Sequence, residues 1–176
     1  LISEWRSQMP EQAANHFVMN ISSEEVDDVQ QLIDTNATTG DFLYPMIRGR
    51  ITGVNGITAR EWRDQNRNAE YGYSPRISDE RNLTFASRLP DNNDIVAGQW
   101  WGGESVDAAV SLEDDYARER NLGIGDILDF DIGGQKVAAT VTSIRGVEWE
   151  SMAPNFFVIL SPGSLEGFPA TYMTSF

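Results

Sequence analysis

The sequence of 176 residues contains no cysteine and a single histidine, His16. Without thiols there are no disulfides, no thiolate metal site and no cysteine nucleophile, and one imidazole cannot build a multi-histidine metal centre within one chain. Lysine is almost as scarce. Of thirteen basic residues only Lys136 is a lysine, against twenty-seven acids, for a net charge of −14. A field of that sign repels DNA, RNA and anionic headgroups, so nucleic acid is excluded as a natural partner. Long apolar runs are missing too: the longest, residues 156–160, is strand-sized, far short of the roughly 20 residues a membrane helix needs. There is no initiator Met and no signal peptide, and Leu1-Ile2-Ser3-Glu4-Trp5 opens in mid-pattern, so the expectation is a fragment of a longer protein.

What is present is globular: 40% apolar and 10% aromatic residues are enough for a core without staples. The charge is uneven, −7 over residues 1–47, +3 over 48–88 and −10 over 89–176. The arginines of the middle third are expected to form local ion pairs and solvated faces, with a contact surface as the alternative.

Patterning predicts an α+β chain. His16-Phe17-Val18-Met19-Asn20-Ile21 reads as a strand, and Ser22-Ser23-Glu24-Glu25 as a helix start. Val26, Val29, Leu32 and Ile33 then form a helical stripe. Residues 42–54 look extended, with Pro45 tolerable only at an edge or irregularity. Gly56, Gly72 and Pro75 mark loops around a short helix at 59–65, and strands are expected at 83–89 and 95–101. Ala108-Ala109-Val110-Ser111 predicts a strand ending in a cap at Ser111, followed by a helix over 112–121 with acids first and bases last. Two alternating runs, 127–132 and 136–145, flank Gly133-Gly134 as a hairpin, and 155–160 reads as a central strand. Residues 171–176 begin a further strand.

Chemistry is sparse. Three carboxylate pairs, Asp91 with Asp94, Asp114 with Asp115 and Asp129 with Asp131, raise the alternative of a carboxylate-dependent hydrolase. Each has a simpler account in a turn, a helix start or the outer face of a strand. Asp129-Phe130-Asp131-Ile132-Gly133-Gly134 is a poor calcium loop, lacking a third oxygen ligand and the closing Glu. Gly123-Ile124-Gly125 and Gly102-Gly103 lack the lysine or spacing of a nucleotide site, and His16 has no Gly-x-Ser-x-Gly to serve. No catalytic residue, metal or cofactor is assigned. The aromatic pair Trp100-Trp101 stands out. If both are extended they point to opposite faces, one into the core and one toward solvent, a ligand or a partner. The plainer reading is that a second layer covers both rings; an apolar-ligand-binding module at Trp100 and Trp101 is a second alternative.

Several stretches carry a resemblance: Leu43-Tyr44-Pro45-Met46-Ile47-Arg48-Gly49-Arg50-Ile51, Asn82-Leu83-Thr84-Phe85, Ile95-Val96-Ala97-Gly98-Gln99-Trp100-Trp101, Asn155-Phe156-Phe157-Val158-Ile159, and the closing residues 167–176. Together they resemble the first large extracytoplasmic domain of FtsX-like ABC-transporter permeases of the MacB superfamily, YbbP type. The resemblance implies a porter-like lobe of β-α-β units, residues 1–54 and 150–176, with a smaller β-rich Sabre-like lobe, 55–149, inserted into it. The porter lobe's second helix would follow Phe176. It implies a non-enzymatic domain on the periplasmic face of the bacterial inner membrane, joined to the membrane only through flanking helices outside this sequence. The implied partners are a cytoplasmic ABC ATPase, reached through the parent permease, and a periplasmic lysophospholipase or thioesterase to which hydrophobic molecules are presented.

Overall fold

A computed structural model describes residues 16–36, 42–67, 76–102, 108–151 and 153–176. In chain order the elements are β1 (Phe17–Ile21), α1 (Val26–Asn36), β2 (Tyr44–Val54), β3 (Ile57–Thr58), α2 (Ala59–Gln65), β4 (Arg81–Phe85), β5 (Asn93–Gly98) and β6 (Ala109–Glu113). They continue with α3 (Asp114–Glu119), β7 (Ile127–Ile132), β8 (Gln135–Val147), a 3-10 turn (Trp149–Ser151), β9 (Val158–Leu160) and β10 (Thr171–Ser175). The α+β expectation holds, weighted toward strands. Gly72, Pro75 and Gly103 lie outside the described residues.

Six strands close on themselves. Starting from β2, the ladder runs through β4, β9, β6, β8 and β7 and returns to β2. The β4–β9 and β6–β8 pairs are parallel and the others antiparallel, so the barrel is mixed. Its interior is filled by Val54, Leu83, Val110, Leu112, Leu128, Phe130 and Val141, none more than 1% exposed. Each such side chain contributes roughly 1.5–3 kcal/mol, so the barrel interior carries most of the stability. The expected hairpin is β7–β8, turning on Gly133 and Gly134 with φ of 60° and 86°, a pairing of positive angles that glycine adopts without strain.

Long β2 belongs to two sheets. At residues 44–46 it pairs with β10, whose other side pairs with β1, and at 50–54 it pairs with barrel strand β7. Pro45 lies opposite Tyr172 of β10 and outside the β4 pairing, which begins at Ile47, so the amide that proline lacks is not missed by β4. The first β-α-β stretch is thus present as β1, α1 and β2. Its helix is seated more narrowly than its sequence stripe implies. Ile33 is buried and Val26 and Val29 are half-buried, an i, i+3, i+7 seam, while Leu32 stands beside the seam and is 63% exposed.

Two local readings are corrected. Ser111 is not a helix cap: the β6 ladder with β8 and β9 runs through residues 110–112 and beyond, and Ser111 is fully buried within it. The cap is Glu113, whose carboxylate accepts from the Tyr116 amide at 2.7 Å. The strand expected over 95–101 stops at Gly98, where φ is +72° and a Cβ would collide with the Thr142 carbonyl. Gly98→Ala is therefore expected to cost about 2–4 kcal/mol, read as a lowered midpoint in urea unfolding.

Helix α2 begins with a capping box: the Glu61 amide donates to Thr58 Oγ1 at 3.2 Å, and the Thr58 amide donates to Glu61 Oε2 at 2.9 Å. The Thr58 hydroxyl, donating to Glu61 Oε2 at 2.7 Å, and after it the Thr58 amide hold the Glu61 pKa below its ordinary 4.5. A carboxyl depressed in the folded state stabilises fully above its unfolded pKa and loses that effect as pH falls through the folded one. Glu61→Gln should thus be less stable than the native chain above pH 4.5 and converge with it in stronger acid, in thermal melts across that range.

Candidate functional site

Among the described residues Arg145 is the largest side chain that is completely buried. It lies on β8 beyond a register shift in the β6 pairing, on the side of Ser111 and Ser143, while Val141 and Ile144 turn into the barrel core. Its Nε donates to Ser111 Oγ at 3.0 Å on β6, and its Nη1 donates to Asn93 Oδ1 on β5. Nη2 reaches the Phe156 and Phe157 carbonyls at 2.9 and 3.3 Å, just ahead of β9. Ser143 Oγ donates to Ser111 Oγ at 2.7 Å and completes the network. Burial pushes the Arg145 pKa down to about 10, partly opposed by the nearby Glu113 carboxylate, so the guanidinium stays charged at neutral pH.

The tryptophan pair sits one segment away. The two rings follow the end of β5 and are not on a strand, so they do not take opposite faces. Their centroids are 3.9 Å apart at an interplanar angle of 31°. Trp101 is buried at 8% exposure and Trp100 is half-buried, so neither ring is the fully exposed one that strand alternation predicted. Both indoles reach the same stretch of backbone: Trp101 Nε1 donates to the Ala86 carbonyl at 2.7 Å and Trp100 Nε1 to the Ser87 carbonyl at 3.1 Å. That stretch is one wall of a cavity of about 300 Å³ between β2, residues 85–90 and β10. On the rings' own side lies a wider, open depression of about 700 Å³ that includes both tryptophans and Ile124.

The 300 Å³ cavity is lined mostly by apolar and aromatic side chains, among them Phe42, Tyr44, Phe85, Leu89 and Tyr172. Arg88 is the one charged residue among the described residues lining it. Its guanidinium lies 4.4 Å from the centroid of the Phe42 ring and 3.4 Å from Asp91 Oδ1. No continuous motif announces this cavity, because its walls come from four separate stretches of sequence.

The acids stay where local structure uses them. Asp114 and Asp115 both pair with Arg118 on α3. Asp129 and Asp131 are half-exposed on the outer side of β7 between buried Leu128, Phe130 and Ile132. Asp131 also holds the hairpin turn by accepting from the Gly134 amide at 3.0 Å, and pairs with Arg50 at 3.5 Å. Among the described residues no three His, Asp or Glu side chains gather as a metal-binding group. His16 is exposed and stacks on Phe176 with centroids 5.4 Å apart.

No family model matches the chain, and no solved structure matches it. A likeness among curated proteins spans all of it and places it with the permease subunits of ABC transporters. The relative is the "Uncharacterized ABC transporter permease YbbP" of Escherichia coli (strain K12), 34% identical over 176 residues, which is 100% of this chain and 20% of that protein. The chain is thus a YbbP-like segment of an ABC transporter permease, spanning about a fifth of the length of the curated relative it matches. Among the described residues no helix is long and apolar enough to cross a membrane.

Arg145→Ala leaves carbonyl and side-chain oxygens of three neighbouring segments without their donor and opens a void, a loss of about 3–5 kcal/mol. Arg145→Lys, which keeps the charge but cannot serve so many acceptors, should fall between the two. Chemical denaturation of the three proteins checks both the size and the order.

Proposed function

We propose that this chain is an extracytoplasmic domain, on the periplasmic face of the inner membrane, that carries conformational work driven by a cytoplasmic ABC ATPase. This is mechanotransmission of the FtsX/MacB kind. The observation that supports it is β2, a single strand of eleven residues hydrogen-bonded to the outer sheet at one end and to the barrel at the other. Displacement of the β1–β10 sheet passes into the barrel through continuous backbone and is not taken up by a loop.

In this reading the porter-like lobe of residues 1–54 and 150–176 is represented by β1, α1, β10 and the start of β2. The inserted Sabre-like lobe of 55–149 supplies β3 to β8 and closes its barrel with β2 and β9 lent by the first lobe. Such a domain performs no bond-breaking itself and can present hydrophobic or lipid-like molecules to a periplasmic esterase. The cavity beside the tryptophan pair favours a related second reading, an apolar-ligand-binding module within the same domain.

The test uses the complete permease with its ATPase. Ser23→Cys and Lys136→Cys, both exposed here, should react with a membrane-impermeant maleimide added outside intact spheroplasts. Labelling only after lysis would overturn the placement. Spin labels at Gln31 and Lys136 should keep one separation in the ATP and ADP states, because a lever moves as a body. A changed separation contradicts force transmission through β2.

A further inference from the structure

We propose that the 300 Å³ cavity between β2, residues 85–90 and β10 binds a single-chain anionic amphiphile, with Arg88 at its mouth pairing with the head group. The size sets the first limit. It is at the lower end of ligand cavities, enough for one apolar chain and too small for a two-chain lipid. The walls set the second: Phe42, Tyr44, Phe85, Leu89 and Tyr172 offer apolar and aromatic surface to the chain. Arg88 sets the third.

In a protein of net charge −14, a cavity whose only charged lining residue among the described residues is an arginine runs against the overall field. Arg88 is held lightly. Its side chain is 61% exposed, and its partner Asp91 is 89% exposed and 3.4 Å away, an ion pair of the kind that contributes little and yields readily to a better anion. The Phe42 ring under the guanidinium keeps the charge at the cavity's edge. An anionic head can therefore meet Arg88 while the tail enters the apolar part. The tryptophans act as positioning residues behind the wall: their indole N–H groups hold the Ala86 and Ser87 carbonyls, so they sense occupancy without touching the ligand.

This deepens the ligand-binding reading above and rests on it. Its test needs neither membrane nor ATPase, so failure here leaves the placement outside the bilayer standing, and failure of the maleimide experiment leaves this site standing. The 176-residue chain is titrated with decanoate, decyl phosphate and decyltrimethylammonium while tryptophan emission is followed. The two anions carry the same tail on a carboxylate or phosphate head, and the tighter one identifies the head chemistry.

At least one anion should bind saturably and about tenfold more tightly than the cation, the reverse of the order that the protein's net charge alone would produce. Arg88→Gln should lose that preference while keeping the native melting temperature. Binding of the cation as tight as that of either anion overturns the proposal. So does a flat response to all three, or a preference for anions that survives Arg88→Gln.

Discussion

A guanidinium taken wholly out of water costs several kcal/mol unless oxygens replace its hydration shell. At Arg145 those oxygens come from β5, β6 and the segment entering β9, three pieces of chain far apart in sequence. The charge can be accommodated only when all three are in place around β8. Assembly of the barrel's far side is therefore close to all-or-none. The same requirement protects β5, an edge strand paired only with β8, from the fraying expected of a strand with one free side. Asn93 is the anchor: it begins β5 and is 6% exposed because its amide oxygen faces the buried arginine.

From this joint the geometry of the candidate site follows. Gly98 ends β5 against the Thr142 carbonyl and lets the backbone turn out of the ladder, which brings Trp100 and Trp101 together on one side. Their indoles then fix residues 86 and 87, and so shape the wall of the Arg88 cavity. The cavity's opposite walls belong to β2 and β10, the strands that couple the outer sheet to the barrel.

Local sequence information carried the elements well where the physics is local. The β7–β8 hairpin was legible from alternation around Gly133-Gly134, and the β1-α1-β2 run from a helix start and periodicity. Closure of the barrel was not legible, because β4–β9 and β6–β8 are parallel pairings between distant segments that no short window reports. Ser111 looked like a cap because Ser before an acidic run usually is one, yet its hydroxyl is claimed by Ser143 and Arg145. Arg145 left no trace in strand alternation, because the β6–β8 ladder shifts register between Val141 and Ser143 and residues 143–145 are buried in succession. The Arg88 cavity left none either, since its residues share no element and no period.

The central claim is that Arg145 makes β5, β6, β8 and β9 one cooperative unit. Native-state amide hydrogen exchange on the wild-type chain and Arg145→Lys tests it most directly. The account predicts that protected amides in all four strands share one opening free energy and lose protection by the same amount in the variant. Loss confined to the residues beside position 145, with the remaining amides of these strands unchanged, would contradict it.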